Sequence, residues 1–596
     1  MYKTEYPKPQ FRRETWLNLN GKWAFDFDDQ NVGIKEKWFL NHSYTKQIEV
    51  PFAFQTALSG IHDLTLHDYV WYQRTFKVPN TWNDRVRIHF GAVDYESWVY
   101  INGQLIGHHI GGNDSFSYDI TDYLNHQEEI ISVRVFDPSY EERIPRGKQT
   151  WTEKSHAIWY TRTTGIWQTV WLEPHSTHAL KQVKITSDIE QGSVTFKAVS
   201  YTNVDKKLRI RIYDEKQLIT DDCYLMTDES SRSIQVWHTK IFETNLHHAG
   251  KTWTPEHPFL YDVVIDVLVD EKVVDSIQTY FGMRKIHTEN GMVYLNNRPY
   301  YLKLVLDQGY YKPGLLTAPS DADLEKDIIL SKQLGFNGCR KHQKIEEERF
   351  LYHADKLGFL VWEELPSTAV FDVEYHKAII DEWVNVIHRD YNHPSIIAWV
   401  PLNESWGVPN IQRDKSQQNY ALTLYHLTKS IDPTRLVIAN DGWEQTTGDI
   451  CAIHNYAHGA MADTAGHKRF SDALSTKEDI LNHYPAHRNV YADGFKHEGQ
   501  PIVLTEFGGI SFAVEEKEGW GYSNVNNGKD FLKEYQRILQ AIDESTVLAG
   551  FCYTQLTDVE QEINGLLTYS REAKVPLEEI KLIHDRVSFH LAKKRD

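Results

Sequence analysis

At 596 residues the chain is too long for a single hydrophobic core, so three or more domains are expected. Its net charge of −19 argues against a nucleic-acid or anionic-membrane partner. No run of about 18 apolar residues occurs, and the opening Met-Tyr-Lys-Thr-Glu-Tyr-Pro carries no apolar signal core, so a cytoplasmic protein without a helical span is expected. The four cysteines, Cys223, Cys339, Cys451 and Cys552, have no metal-ligand spacing and read as buried free thiols of a reducing compartment. Trp (18) and Tyr (33) are abundant; part of this is core, but flat aromatic faces also cover sugar C–H surfaces.

Residues 1–179 read as short strands separated by turns. Val86, Ile88 and Phe90 alternate with polar residues, as do Ile131, Val133 and Val135, and Asn102-Gly103 predicts a tight hairpin turn. The pattern fits a β jelly roll, either a carbohydrate module or a structural sandwich. Residues 180–286 continue in strands, among them Val194–Val199, Leu208–Tyr213, Ile234–Trp237 and Tyr261–Val269. Some seven strands in about 100 residues suit an immunoglobulin-like β-sandwich.

In residues 287–596 apolar runs alternate with helical patterns. Ser320 is placed to cap a helix with Leu324, Ile328, Ile329 and Leu334 on one face, stopped by Gly335, and a second helix spans Glu346 to Leu357. Eight strand candidates follow: Tyr300–Val305, Phe336–His342, Phe359–Leu365, Ile396–Glu404, Leu436–Asp441, Ile450–Tyr456, Pro501–Phe507 and Leu548–Asp558. Eight such repeats in about 300 residues predict a TIM (β/α)8 barrel. Polar residues gather at the C-terminal ends of these runs, including Glu364, Asp441 and Gln555. A doubly wound open sheet would concentrate them at one switch point instead.

The chemistry is carried by Glu404, ending the fourth strand, and Glu506, ending the seventh, 102 residues apart in the chain. Two carboxylates facing across an aromatic barrel mouth meet the requirement for glycoside hydrolysis, where one stays protonated and the other ionised. The bland alternative for each is a salt bridge with a neighbouring arginine. Glu363 and Glu364 are rival carboxylates, of which strand alternation turns only one inward.

These residues resemble glycoside hydrolase family 2, which contains β-galactosidases, β-glucuronidases and β-mannosidases. Asn403-Glu404 and Thr505-Glu506-Phe507-Gly508-Gly509 carry the resemblance in the barrel. Leu19-Asn-Gly-Lys-Trp, Thr164-Gly-Ile-Trp-Gln-Thr-Val-Trp-Leu-Glu and Phe281-Gly-Met-Arg-Lys-Ile extend it over nearly the whole chain. The resemblance implies a retaining mechanism, with Glu404 as general acid/base and Glu506 as nucleophile. It further implies that Asn403 binds the sugar 2-hydroxyl, that His342 lies in the sugar pocket and that Tyr456 holds the nucleophile. On residue type alone, His342 and Tyr456 also fit as buried groups bonding their neighbours. Trp406 and Tyr553 are expected as pocket walls.

Departures from the family pattern also inform. Glu364 is followed by Leu-Pro-Ser where the large β-galactosidases have a magnesium-binding run, so no metal or other cofactor is implied, and the extra C-terminal domains of those enzymes are not expected. Typical β-glucuronidases carry Asn-x-Lys after strand eight; here the loop reads Glu562-Ile-Asn-Gly, and the nearest Asn-x-Lys, Asn527-Gly-Lys529, follows strand seven. Arg340-Lys-His marks an atypical subfamily. The expectation is a retaining exo-β-glycosidase of β-galactosidase type acting on small glycosides or oligosaccharides. A uronidase or α-L-arabinopyranosidase is the alternative specificity, and a non-catalytic carbohydrate-binding protein the alternative class. The expected partner is a small carbohydrate rather than nucleic acid or membrane, with a homo-oligomer left open.

Overall fold

A computed structural model describes residues 2–237, 251–482, 484, 487–514 and 519–588. Met1 and Asp596, the outer limits of the expected domains, lie outside them. In the N-terminal region a six-stranded antiparallel sheet faces a four-stranded one. Val86, Ile88 and Phe90 of the smaller sheet meet Val99, Ile131 and Val133 of the larger in one dry core, the outcome of period-two alternation. Asn102 (φ 49°) and Gly103 (φ 78°) make the two-residue turn between strands Glu96–Ile101 and Gln104–Ile110. Both central residues there need positive φ, which Asn and Gly adopt most readily.

The next region is a sandwich of a three-stranded and a four-stranded sheet with its own core, including Val194, Phe196, Leu208, Ile210, Val263 and Ile265. Cys223 departs from the expectation of four buried thiols. It lies on the edge strand Gln217–Met226, and alternation turns its side chain to solvent, whereas Cys339, Cys451 and Cys552 are buried.

The C-terminal region contains all eight predicted strands as one parallel sheet: β1 (Leu302–Asp307), β2 (Gly338–Lys341), β3 (Leu360–Glu364), β4 (Ile396–Val400), β5 (Leu436–Val437), β6 (Cys451–His454), β7 (Ile502–Gly508) and β8 (Leu548–Thr554). Their order is β5-β4-β3-β2-β1-β8-β7-β6. Among the described residues no strand ladder joins β5 to β6. Side chains bridge that seam instead: Gln445 Nε2 donates to the Ala452 carbonyl at 2.6 Å, and His454 Nε2 lies 2.9 Å from Asp441 Oδ1. Inward residues such as Leu304, Trp362, Ala398, Ala452 and Cys552 fill the barrel, while Val361, Trp399, Leu504 and Phe551 pack outward on the helices. Ser320 caps helix α1 (Asp321–Gln333) by accepting from Asp323 N–H, with Leu324 and Ile328 buried; Ile329 faces solvent rather than the core. No described helix is long and apolar enough to cross a membrane.

The jelly roll does not stand apart from the barrel. Tyr160 and Trp167 share a buried cluster with Tyr310, Leu315 and Val559. Tyr160 Oη donates to Glu562 Oε2 at 2.5 Å, and Gly147 N–H donates to the Ser367 carbonyl at 3.1 Å. Segment 142–162 of the first region thereby becomes part of the rim at the C-terminal end of the barrel strands.

Candidate active site

Glu404 follows β4 after the bridge residue Asn403, whose backbone pairs with Asp441. Glu404 (φ 51°) and Ser405 (φ 59°) both take the left-handed conformation. Such residues cost about 1–3 kcal/mol each unless their surroundings impose the geometry. Here the surroundings do so: Glu404 N–H donates to the Asp441 carbonyl at 2.8 Å, Ser405 N–H to Asn440 Oδ1 at 3.0 Å, and Trp406 N–H to the Asn403 carbonyl at 2.9 Å. The turn aims the Glu404 carboxylate back over the barrel axis.

Glu506 rises from β7 on the same face and is buried. Arg340 Nη1 donates to its Oε1 at 2.7 Å and Tyr456 Oη to its Oε2 at 2.8 Å. Between the two glutamates stands His454, from the end of β6. Its Nδ1 is 2.7 Å from Glu404 Oε1 and 3.4 Å from Glu506 Oε2. One oxygen of each glutamate and a ring nitrogen of His454 lie within 4.8 Å of one another.

The electrostatics separate the groups. Burial alone would lower the His454 pKa, but the charge of Glu506 and the hydrogen bonds to Asp441 and Glu404 outweigh it and raise the value to about 10. His454 is therefore an imidazolium at neutral pH. Burial would raise Glu506, but His454 and Arg340 outweigh that and hold it at about 2, fully ionised. Arg340 is the hub beneath the site. Besides Glu506 it donates through Nε to Glu364 Oε2 at 2.7 Å and through Nη2 to Asn403 Oδ1 at 2.6 Å, and it stands 3.3 Å from Asp441. Because Arg340 takes the Asn403 carbonyl oxygen, the Asn403 amide nitrogen is left to donate elsewhere.

His342 Nδ1 lies 3.0 Å from Glu364 and 3.2 Å from Arg340 Nη2. Burial, reinforced by the Arg340 charge, keeps its pKa well below the usual histidine value, so the ring is neutral. Of the rival carboxylates, Glu364 points inward to Arg340, while Glu363 points toward the helices and accepts from Glu346 N–H at 2.9 Å. Burial, first of all, raises Glu364 to about 7.

Aromatic rings line the rim. Tyr456 stacks on Tyr522 at 3.6 Å, and Trp406 leans on Trp159 of the jelly roll at 4.7 Å, itself 5.1 Å from Trp151. Tyr553, expected as a pocket wall, is not at the rim. Along β8, Cys552 and Thr554 turn inward, so Tyr553 turns outward and packs on Tyr535 and Phe507. Sequence reasoning did not single out His454, although it stands two residues before Tyr456 at the end of the same strand. It also passed over Arg340 as a contact of Glu506, and over Trp159, Lys148 and Glu562, which reach the rim from loops of two different domains.

Three family models cover the chain: the family 2 glycosyl hydrolase sugar binding domain over residues 17–172, a glycosyl hydrolases family 2 domain over 176–284, and the family 2 TIM barrel domain over 286–589. A β-galactosidase of Thermoanaerobacter pseudethanolicus is 28% identical over 410 residues, 65% of this chain. The chain spans about half of that relative's length (51%), whereas a β-glucuronidase of Paenibacillus borealis, 24% identical, aligns over 96% of both chains. Among solved structures, the β-glucuronidase of Ruminococcus gnavus with D-glucuronic acid superposes with a TM-score of 0.77 at 19% identity, covering 98% of this chain and all of that one. The β-galacturonidase of Eisenbergiella tayi with galacturonate gives 0.75 at 19% identity, covering 99% and 100%. With the barrel model alone spanning more than half of its residues, the chain belongs to glycoside hydrolase family 2.

Proposed function

We propose that the protein is a retaining exo-β-glycosidase in which Glu506 is the nucleophile and Glu404 the general acid/base. The observation that carries this reading is the pair of carboxylate oxygens within 4.8 Å of each other, both beside His454. Double displacement needs a separation of about 5–5.5 Å, whereas an inverting pair leaves about 6.5–9.5 Å for a water. Glu506, ionised and fixed by Arg340 and Tyr456, attacks the anomeric carbon. Glu404 protonates the departing oxygen. It does so with the proton shared in the 2.7 Å His454 Nδ1–Glu404 contact, which the second step restores, while Nε2–H stays on Asp441. Once the glycosyl–Glu506 ester has formed, Glu404 takes a proton from water, and that water releases the sugar. Asn403 donates to the 2-hydroxyl, His342 lies at the sugar's flank, and Trp406 and Trp159 form the wall on the leaving-group side.

Relatives named β-galactosidase and β-glucuronidase support a terminal pyranoside of either kind as substrate. A β-galactoside leads, with an α-L-arabinopyranoside, which lacks only the hydroxymethyl arm, beside it. The uronide reading has its support in the similar structures solved with galacturonate and D-glucuronic acid. The test is trapping. A 2-deoxy-2-fluoro glycoside of the matching configuration, with a good leaving group, is expected to inactivate the protein and leave its mass on the peptide containing Glu506. Label on Glu404 or Glu364 would overturn the assignment.

Turnover is also expected to survive exhaustive EDTA treatment. Glu404, His454 and Glu506 lie within ligand reach of a common point, but the His454 nitrogen facing that point is already engaged by Glu404 at 2.7 Å, a contact a cation would have to break. Loss of activity that added magnesium restores would contradict this.

A further inference from the structure

Lys148 lies on the jelly-roll segment that reaches the barrel rim. It is 8% exposed, and its ammonium makes no hydrogen bond or ion pair with a described residue. An ammonium on a side chain with so little access to water, and with no protein acceptor, is free to bond a ligand group. The chain neighbours of Lys148 place its backbone between the jelly roll and the barrel. Gly147 lies so near the barrel that a Cβ there would stand 2.7 Å from the Gln343 carbonyl oxygen. Gln149 turns the other way, into the jelly roll, where it bonds Asp94 at 2.9 Å and Thr163 N–H at 2.6 Å. Tyr160 N–H donates to the Lys148 carbonyl at 2.8 Å and Tyr160 Oη bonds Glu562, so Lys148 stands on the same wall as Glu562, and its charge acts on Glu562 and His342.

Glu562 comes from the loop after β8 and is 3% exposed. Tyr160 Oη donates to its Oε2 at 2.5 Å and Asn564 Nδ2 to its Oε1 at 3.0 Å. Both donors are neutral, and among the described residues Glu562 forms no ion pair. An unpaired ammonium from one domain and an unpaired carboxylate from another therefore share one wall of the cleft without touching.

We propose that Lys148 and Glu562 bracket the hydroxyls of the terminal sugar and select a neutral glycoside over a uronide. The proposal rests on the glycosidase reading above. A hydroxyl accepts from an ammonium and donates to a carboxylate at once, so a sugar diol satisfies both groups. A uronate carboxylate satisfies only Lys148. It has no proton for Glu562 and brings a second negative charge beside it, in a buried site where like charges are strongly unfavourable.

The experiment compares the wild type with Lys148→Met and Glu562→Gln on nitrophenyl β-galactoside, β-glucoside, α-L-arabinopyranoside, β-glucuronide and β-galacturonide. Binding of the corresponding free sugars is followed by calorimetry as a readout independent of turnover. The wild type is expected to prefer a neutral glycoside. Lys148→Met should lower kcat/KM for it by roughly 30-fold, the loss of one charged hydrogen bond, with a matching rise in Kd and an unchanged Tm. Glu562→Gln should weaken the neutral sugar and raise kcat/KM for the uronides. A wild type that prefers uronides and loses them in Lys148→Met would overturn the bracket, making Lys148 a carboxylate clamp. Unchanged kcat/KM and Kd in Lys148→Met, or no binding of any sugar, would also overturn it. If no glycoside turns over but Lys148→Met still weakens a neutral sugar, the bracket stands and the glycosidase reading falls.

Discussion

Glu506→Gln is expected to leave the protein folded and without measurable turnover, a loss of roughly 10⁵-fold in kcat, because no other group can form the first covalent bond. The amide keeps the size of the side chain but loses the attacking oxyanion. Removing one partner of a buried charge pair is normally damaging, since it strands the other. Here Arg340 keeps Glu364, Asn403 and Asp441 as acceptors, so its charge stays compensated. Thermal melting should therefore shift by only a few degrees. Residual activity above about one part in a hundred, with the variant shown free of wild type, would remove Glu506 from the nucleophile's role.

The second large effect separates the two glutamates. In Glu404→Ala the departing oxygen receives no proton. The deficit is greatest where the leaving group is an alkoxide and slight where it is an acidic phenol, since general acid catalysis follows leaving-group basicity. An alkyl glycoside should slow by roughly 10³–10⁴-fold, and a dinitrophenyl glycoside by far less in its first step. The second step also lacks its base, so a glycosyl–enzyme accumulates on the activated substrate, visible as a burst and by intact mass. Azide needs no base and should restore turnover, giving a glycosyl azide of retained configuration. An inverted azide from this variant would exchange the two roles, with His454 then serving Glu506 rather than Glu404.

Much of this site is legible in the chain because each glutamate closes an apolar run, and in a parallel barrel all such runs end on one face. The same rule marked Asn403, Asp441 and Tyr456. It failed for Tyr553, where the phase of alternation, not strand membership, decides which side of the wall a residue faces. It also passed over His454, since a histidine ending an apolar strand is unremarkable until Asp441, from a strand with no ladder to β6, closes on its far nitrogen. Arg340 was visible only as an irregular spelling of a motif, because the partners that define it come from strands β3, β4 and β7. Trp159, Lys148 and Glu562 are beyond local pattern altogether. Trp159 and Lys148 lie in a loop of the jelly roll, Glu562 in the loop after β8, and only the packing of Tyr160 and Trp167 onto the barrel brings the loops together. The three-region architecture was the easiest part, since the switch from period-two strands to alternating strands and helices is written along hundreds of residues.

The left-handed pair at Glu404 and Ser405 has a consequence for the history of such a chain. Glycine would occupy either position without strain, and asparagine with little. Mutational drift toward those residues at position 404 therefore relieves backbone strain, against the loss of the His454 contact, while it silences the proposed general acid. Nothing comparable applies to Glu506, whose carboxylate helps to neutralise a buried arginine. Where selection for hydrolysis lapses in a lineage carrying this fold, Glu404 is the residue expected to vanish first. A descendant with Gly or Asn at 404 and Glu506 intact would be the signature of a relaxed enzyme that still recognises its sugar.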